Sequence, residues 1–117
     1  MFEVNHVHHI SIVGLQGELS RRNMQAFESV LATLSRCERR NIILNFQHLM
    51  HLDYCLVQRI IERIIEFQCD GGDLKVANAN VYIQSILQAM GCDERLYPSV
   101  EEALLDFVGV DGNGDVQ

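Results

Sequence analysis

A carboxylate, a phenol and a thiol stand next to one another at Asp53-Tyr54-Cys55, directly before an amphipathic run. The segment follows an apolar stretch at 41–46 that is typical of a buried strand. Ligands and partners commonly bind where such a strand leads into a helix, at the carboxyl edge of a parallel sheet. Free backbone N–H groups and the positive end of the helix dipole also lie there. We therefore expect Asp53 to cap the helix and this segment to be the functional part of the chain.

Histidine is the other residue type with metal-binding chemistry. His6, His8 and His9 are close in sequence, and His48 and His51 lie three residues apart. His6 and His8 would share one face of a strand, but no Cys or carboxylate joins them to complete a metal site. The other two are predicted to be solvated side chains in a strand-to-helix loop. We predict no bound metal and no cofactor.

Sequence motifs of common enzyme classes are missing. Gly14 and Gly17 follow a strand, but the third glycine and the lysine of a phosphate-binding loop are absent. This glycine pair is predicted to form a turn. No nucleophile-elbow or zinc-protease motif is present either. The sequence therefore predicts a protein that is not an enzyme.

Composition restricts the possible partners and compartment. The length of 117 residues fits one domain. The net charge of −7 argues against binding to nucleic acid, which needs a basic surface. The four cysteines are spread out without a C-x-x-C pair, as expected for a reduced protein. We find neither a signal-peptide pattern nor an apolar run long enough to cross a bilayer. We expect a cytoplasmic protein with no direct membrane insertion.

Strand-like and helix-like patterns alternate along the chain. Strands are predicted at 2–7, 10–15, 41–46, 74–77 and near 96–97, and helices are predicted after the caps Ser20, Asp53, Asn80 or Asn78, and Ser99. Helical periodicity places Ile65 and Met90 on rows that face the sheet. This order predicts an α/β fold over residues 1–108, a small mixed sheet of four to five strands with about four helices mainly on one face. The Gly- and Asp-rich residues 109–117 are predicted to be a flexible C-terminal tail.

Several segments, taken in order, resemble the STAS domain, a family that includes bacterial anti-sigma-factor antagonists. They are Gly17-Glu18-Leu19, 41–46, Leu52-Asp53, 71–78 and 99–104. The resemblance covers residue 2 to about residue 108. It implies a STAS-like fold and a regulatory module that acts on transcription by partner switching, in which it binds an anti-sigma factor that is also a kinase.

The family's helix typically begins Asp-Ser-Ser-Gly-Leu, and the partner kinase phosphorylates the second serine. In this sequence Asp53 matches the family's aspartate and Tyr54 replaces the first serine. Cys55 occupies the position of the phosphorylated serine, and Leu56 replaces the glycine. Because a thiol is not a substrate for a serine kinase, we predict a degenerate phosphosite.

From these observations we predict a partner-binding face at the start of the helix. Its members are Asp53, Tyr54, Cys55 and Leu56, with His48, Met50 and His51 beside them and Arg59 at the rim. Tyr54 can either project as an interface anchor or lie down on the sheet edge. Oxidation of Cys55 in place of phosphorylation is a further hypothesis, since a helix N-terminus favours a thiolate.

Two other functions remain open at this point. STAS subunits of phospholipid-transport ABC systems are similar in length and bind the transporter's ATPase without a phosphorylation step. From another class, the chain could be a nucleotide-binding module or a small enzyme, although it lacks a phosphate loop and a paired acid and base.

Overall fold

The structure is a computed structural model that describes the backbone of residues 2–115 and the side-chain environments of residues 2–107. Its strands are β1 (Phe2–Val7), β2 (Ile10–Leu19), β3 (Asn41–Leu52), β4 (Asp73–Ala77) and β5 (Leu96–Tyr97). Its helices are α1 (Arg21–Arg36), α2 (Val57–Cys69), α3 (Val81–Ala89) and α4 (Val100–Asp115), with single 3-10 turns at Tyr54–Leu56 and Asp93–Arg95. The alternation predicted from the sequence is confirmed.

The five strands form one mixed sheet in the order β1-β2-β3-β4-β5. β1 is antiparallel to β2, because the two residues His8 and His9 between them leave room only for a hairpin. The remaining neighbours are parallel, and a helix connects each pair from β2 to β5. Connections of the same hand place α1, α2 and α3 on one face of the sheet.

A main core fills the space between the sheet and these three helices. Its largest fully buried side chains include Phe27 of α1 and Phe46 of β3. A smaller cluster on the opposite face joins Ile10, Ile43 and Ala77 of the sheet to Ala103 of α4. The prediction of a mixed sheet with four helices mainly on one face is therefore confirmed.

The two central strands continue past their predicted ends. β3 extends from the predicted end at Phe46 to Leu52, where it pairs with Leu19 at the end of β2. His48 and His51 therefore lie on a strand, paired with β2, and the predicted loop is wrong. Period-two burial is lost in this region, so the sequence pattern alone does not reveal the extension.

The glycines predicted to form a turn, Gly14 and Gly17, lie inside β2. The β2–β3 register shifts between Gly14 and Gln16 and again between Gly17 and Glu18. Gly17 has a φ of +81°, a conformation that glycine adopts without the steric cost of a Cβ atom. The glycines thus allow the strand to bend while pairing continues, and the turn prediction is wrong.

Two apolar residues predicted to face the sheet are instead on the surface. Ile65 of α2 is 51% exposed and Met90, directly after α3, is 40% exposed. The buried side of α2 runs through Ile60, Ile64 and Phe67, so Ile65 lies outside the contact stripe. Met90 follows the last residue of α3 as its C-cap, where the helix no longer packs on the sheet.

Lys75 of β4 is a buried cation that connects the sheet to α4. Its ammonium donates to Asp106 Oδ2 at 2.8 Å and to the Tyr97 hydroxyl at 3.1 Å, and it lies 4.7 Å from the centre of the Phe107 ring. Burial alone would lower the pKa of Lys75, but the hydrogen bonds to Asp106 and Tyr97 outweigh it and raise the pKa. α4 is therefore held by a charged contact as well as by apolar packing.

The backbone of α4 runs through much of the segment predicted to be a tail, as far as Asp115. Residues 116 and 117 lie outside the described residues. The flexibility of 109–117 stays a prediction.

Candidate partner-binding site

The extension of β2 and β3 fixes the position of Asp53. Its backbone N–H donates to the carbonyl of Leu19 at 2.9 Å, so the end of β2 holds the start of the next element. That element is the 3-10 turn at Tyr54–Leu56, and α2 begins only at Val57. Asp53 therefore caps this turn, one step before the α-helix that it was predicted to cap.

Asp53 and Cys55 are joined through both backbone and side chain. Asp53 Oδ1 accepts from the backbone N–H of Cys55 at 3.2 Å and from its thiol at 2.9 Å. These two hydrogen bonds lower the pKa of Asp53, the thiol contact contributing most, and the charges of Arg21 and His51 add to the effect. The thiol of Cys55 is exposed, so its sulfur lies at the surface in a fixed orientation.

Large apolar side chains project into solvent on either side of Asp53. Tyr54 is 68% exposed and Met50 is 72% exposed. The sequence allowed Tyr54 either to project or to lie on the sheet edge, and in the structure its side chain projects into solvent. Leu56, by contrast, is only 4% exposed and belongs to the main core. Its predicted place on the partner-binding face is corrected, because its side chain points inward from the 3-10 turn.

The start of α3 extends the same surface. The ring of His51 stacks on Tyr82, with ring centres 5.8 Å apart and an interplanar angle of 18°. Asn80 caps α3 by accepting from Ile83 N–H at 2.8 Å, and its amide also reaches the carbonyl of Leu49 in β3 at 3.4 Å. The first turn of α3 is thereby fixed beside the end of β3.

Val81 and Tyr82 are 80% and 51% exposed, and neither was predicted from the sequence. Their signal was present, since they directly follow the Asn80 cap and lie off the row of Ile83 and Leu87, the buried residues of α3. We give the name carboxyl-edge surface to five of the exposed side chains at this end of the sheet. Its members are Met50, His51, Tyr54, Val81 and Tyr82.

Arg59 and His48 differ in how they relate to this surface. Arg59 of α2 forms an ion pair with Glu28 of α1, and the same carboxylate pairs with Arg63 at 2.8 Å. Arg59 therefore connects two helices, although its side chain is 46% exposed. His48 is exposed on β3, two residues before Met50. Neither residue is counted as a member of the carboxyl-edge surface.

Within residues 2–107, no group of three or more His, Cys, Asp or Glu side chains is arranged to hold a metal ion. The exposed groups of the carboxyl-edge surface are two phenols, an imidazole, a thioether and an isopropyl group. Aromatic and thioether side chains are typical of surfaces that bind other proteins. The arrangement is suited to binding.

Among the helices of the described residues, none combines the length and apolar character needed to cross a membrane.

Solved structures of similar fold include SpoIIAA from Bacillus in its phosphorylated form, with a TM-score of 0.74 and 21% identity over 92% of this chain and 99% of that one. An anti-sigma factor antagonist from Mycobacterium paratuberculosis gives a TM-score of 0.80 at 16% identity, over 91% and 92% of the two chains. The murine Solute Carrier 26 family member A9 anion transporter matches with a TM-score of 0.72 at 16% identity, over 86% of this chain and 18% of the transporter.

These likenesses establish the fold, which this chain has in common with anti-sigma factor antagonists. A comparison of sequences with curated proteins found no match. The sequence model of the STAS domain matches residues 1–103, which is most of the chain. The chain therefore belongs to the STAS domain family.

Proposed function

We propose that this STAS domain is a non-enzymatic regulatory module that binds another protein through the carboxyl-edge surface. The observation that carries the proposal is the exposure of Met50 and Tyr54, at 72% and 68%, on both sides of Asp53. The two residues lie four positions apart in the chain. Exposing large apolar side chains to water is unfavourable, and a partner that covers them removes that cost. Tyr54 is the anchor of this surface because a tyrosine contributes large contact area with few rotatable bonds.

The family and the fold support one class of partner. The proposed partner is an anti-sigma factor with a kinase-like ATPase fold, in the cytoplasm of a bacterium. The shared fold of anti-sigma factor antagonists such as SpoIIAA supports this proposal. Binding such a factor would release its sigma factor and so regulate transcription. The net charge of −7 serves the solubility of the free module.

The module is proposed to act without serine phosphorylation. Cys55 occupies the place of the family's phosphorylated serine, and a phosphate there would put nearly two negative charges beside Asp53. With a thiol at this position the domain stays in its binding state, unless another reaction such as oxidation of Cys55 replaces the phosphate. The other exposed residues near the turn, among them His48 and Arg59, would form the periphery of the interface.

The partner class is tested by measuring binding of the purified chain to the ATPases of its own organism. Binding to a kinase-like anti-sigma factor supports the proposal, and displacement of the sigma factor from that complex supports partner switching. Binding only to the ATPase of a phospholipid-transport ABC system would assign the chain to such a transporter. Tight binding of ATP or GTP by the chain itself, measured by calorimetry, would favour a nucleotide-binding module and contradict the proposal.

A further inference from the structure

The strand β1 lies at one edge of the sheet and, within the described residues, pairs with β2 along one side only. Its residues from Glu3 to Val7 are all exposed. The backbone N–H and C=O groups on the free side of such a strand can pair with an added strand. β1 is separate from the carboxyl-edge surface, so pairing through this strand does not depend on the proposed function.

An apolar groove accompanies the free edge of β1. Val4 lines it from the strand, and Val30 and Leu34 line it from α1, with Ser29 and Thr33 as its polar members. The groove has a volume of about 380 Å³ and no charged side chain among its lining residues. Val4 is 38% exposed, so the groove opens directly beside the unpaired edge.

We infer that β1 pairs antiparallel with β1 of a second copy of this chain, about a two-fold axis that passes through Val4. When this axis is perpendicular to the sheet, the α1 faces of both copies lie on the same side of the joined sheet. Residues that oppose one another must then come from the same face of the strand. Phe2 and Val4 share the α1 face, since Phe2 packs on Phe27 of α1 and Val4 lines the groove. His6 lies on this face as well, through its contact with Ser11 Oγ at 2.9 Å.

The side chains of β1 are complementary to their own copies in this register. Val4 opposes Val4, Phe2 opposes His6, and Glu3 opposes Asn5, so that a carboxylate meets an amide donor twice by symmetry. Shifting the axis to Glu3 would place two carboxylates opposite each other, which is unfavourable. Shifting it to Asn5 would oppose Val4 with His6 and separate the two apolar grooves. The register centred on Val4 joins the grooves and makes one ten-stranded sheet from two five-stranded ones.

Two matched variants test this pairing. Val4 and Val7 are 38% and 37% exposed but lie on opposite faces of β1. We expect the full chain to dimerise in analytical ultracentrifugation. Val4→Asp should weaken the dimer about tenfold or more by opposing two carboxylates, whereas Val7→Asp should leave it unchanged. A wild-type chain that stays monomeric at all concentrations, or two variants that behave alike, would overturn the inference. Circular dichroism confirms that each variant is folded.

The register has its own test. In a background of Cys37→Ser, Cys55→Ser and Cys69→Ser, which removes the exposed native thiols, Val4→Cys should form a disulfide between two copies under mild oxidation. Directly opposed residues have Cβ atoms about 4.5–5.5 Å apart, close to the separation a disulfide requires. Val7→Cys in the same background should remain unlinked. Linkage through Val7→Cys, or none through Val4→Cys, would contradict the register.

Discussion

The carboxylate of Asp53 holds Cys55 by two hydrogen bonds, from its backbone N–H at 3.2 Å and from its thiol at 2.9 Å. The thiol is therefore exposed but oriented, at the first turn after the end of β3. A serine hydroxyl at this position can donate to the same carboxylate. The turn can therefore hold either group, so the phosphosite that we propose to be degenerate would differ from a serine site in its chemistry and not in its backbone.

Restoring the serine should restore phosphorylation. We expect Cys55→Ser to be phosphorylated when incubated with ATP and a kinase-like anti-sigma factor that binds the chain, because the variant supplies a hydroxyl in place of the thiol. The wild type should remain unmodified. Intact-protein mass spectrometry measures the product.

Cys69→Ser is the matched control, since Cys69 is also exposed but ends α2. Phosphate on wild-type Cys55, or equal labelling of both serine variants, would contradict the prediction of a degenerate phosphosite.

The stability of the turn should depend on the charge of Asp53. Hydrogen bonds from Cys55 hold the pKa of Asp53 below its ordinary value of 3.8. The ionised carboxylate of Asp53 therefore stabilises the folded chain at pH values above the pKa that Asp53 has when unfolded. This stabilisation is lost as the pH falls through the lower pKa that Asp53 has in the folded chain. Melting temperatures measured between about pH 5 and pH 3 should fall more steeply for the wild type than for Asp53→Asn. Glu94→Gln, at an exposed site in the other 3-10 turn, should retain the wild-type steepness.

Two positions of the same 3-10 turn should differ strongly in their effect on stability. Leu56 is buried in the main core, so Leu56→Ala should lower the free energy of unfolding by about 2–5 kcal/mol. Tyr54 is largely exposed, and Tyr54→Ala should change the free energy by about 0.5 kcal/mol or less. Urea denaturation of both variants measures the difference. Equal destabilisation by the two substitutions would show that Tyr54 packs on the domain.

The sequence predicts those parts of the fold that have a regular local pattern of apolar residues. The stripe of Met24, Phe27, Leu31 and Leu34 is regular over three turns, and all four residues are buried in α1 as that pattern implies. The end of β3 and the register shifts of β2 depend on pairing between distant segments, which a single-strand pattern does not encode. The prediction of a loop at His48 and His51 was wrong for this reason.

The family's motif and the strand-to-helix connection predicted where the candidate site begins. They did not predict the contact with α3, because Tyr82 reaches His51 only through the packing of α3 beside β3. The burial of Lys75 was missed as well. A single lysine in an apolar strand gives no sign that Asp106 and Tyr97, far along the chain, will accept its hydrogen bonds.

The attachment of α4 should depend on its contact with Lys75. Asp106→Ala leaves the buried ammonium of Lys75 without its 2.8 Å acceptor, and the free energy of unfolding should fall by about 1 kcal/mol because the carboxylate is partly exposed. Backbone amides of α4 should also exchange faster in hydrogen–deuterium exchange. Glu101→Ala, which alters an exposed carboxylate in the first turn of α4, serves as the control. Equal exchange in both variants would mean that apolar packing alone holds α4.

The proposed binding at the carboxyl-edge surface is tested most directly by calorimetric titration of the proposed partner, a kinase-like anti-sigma factor, with two matched variants. Tyr54 and Leu105 are 68% and 65% exposed, but Leu105 lies on α4, on the opposite face of the sheet. We expect Tyr54→Ser to raise the dissociation constant tenfold or more, which is a loss of about 1.4 kcal/mol or more in binding free energy. Leu105→Ser should leave the dissociation constant unchanged. Wild-type affinity for Tyr54→Ser, or an equal loss in both variants, would contradict a binding surface centred on Tyr54.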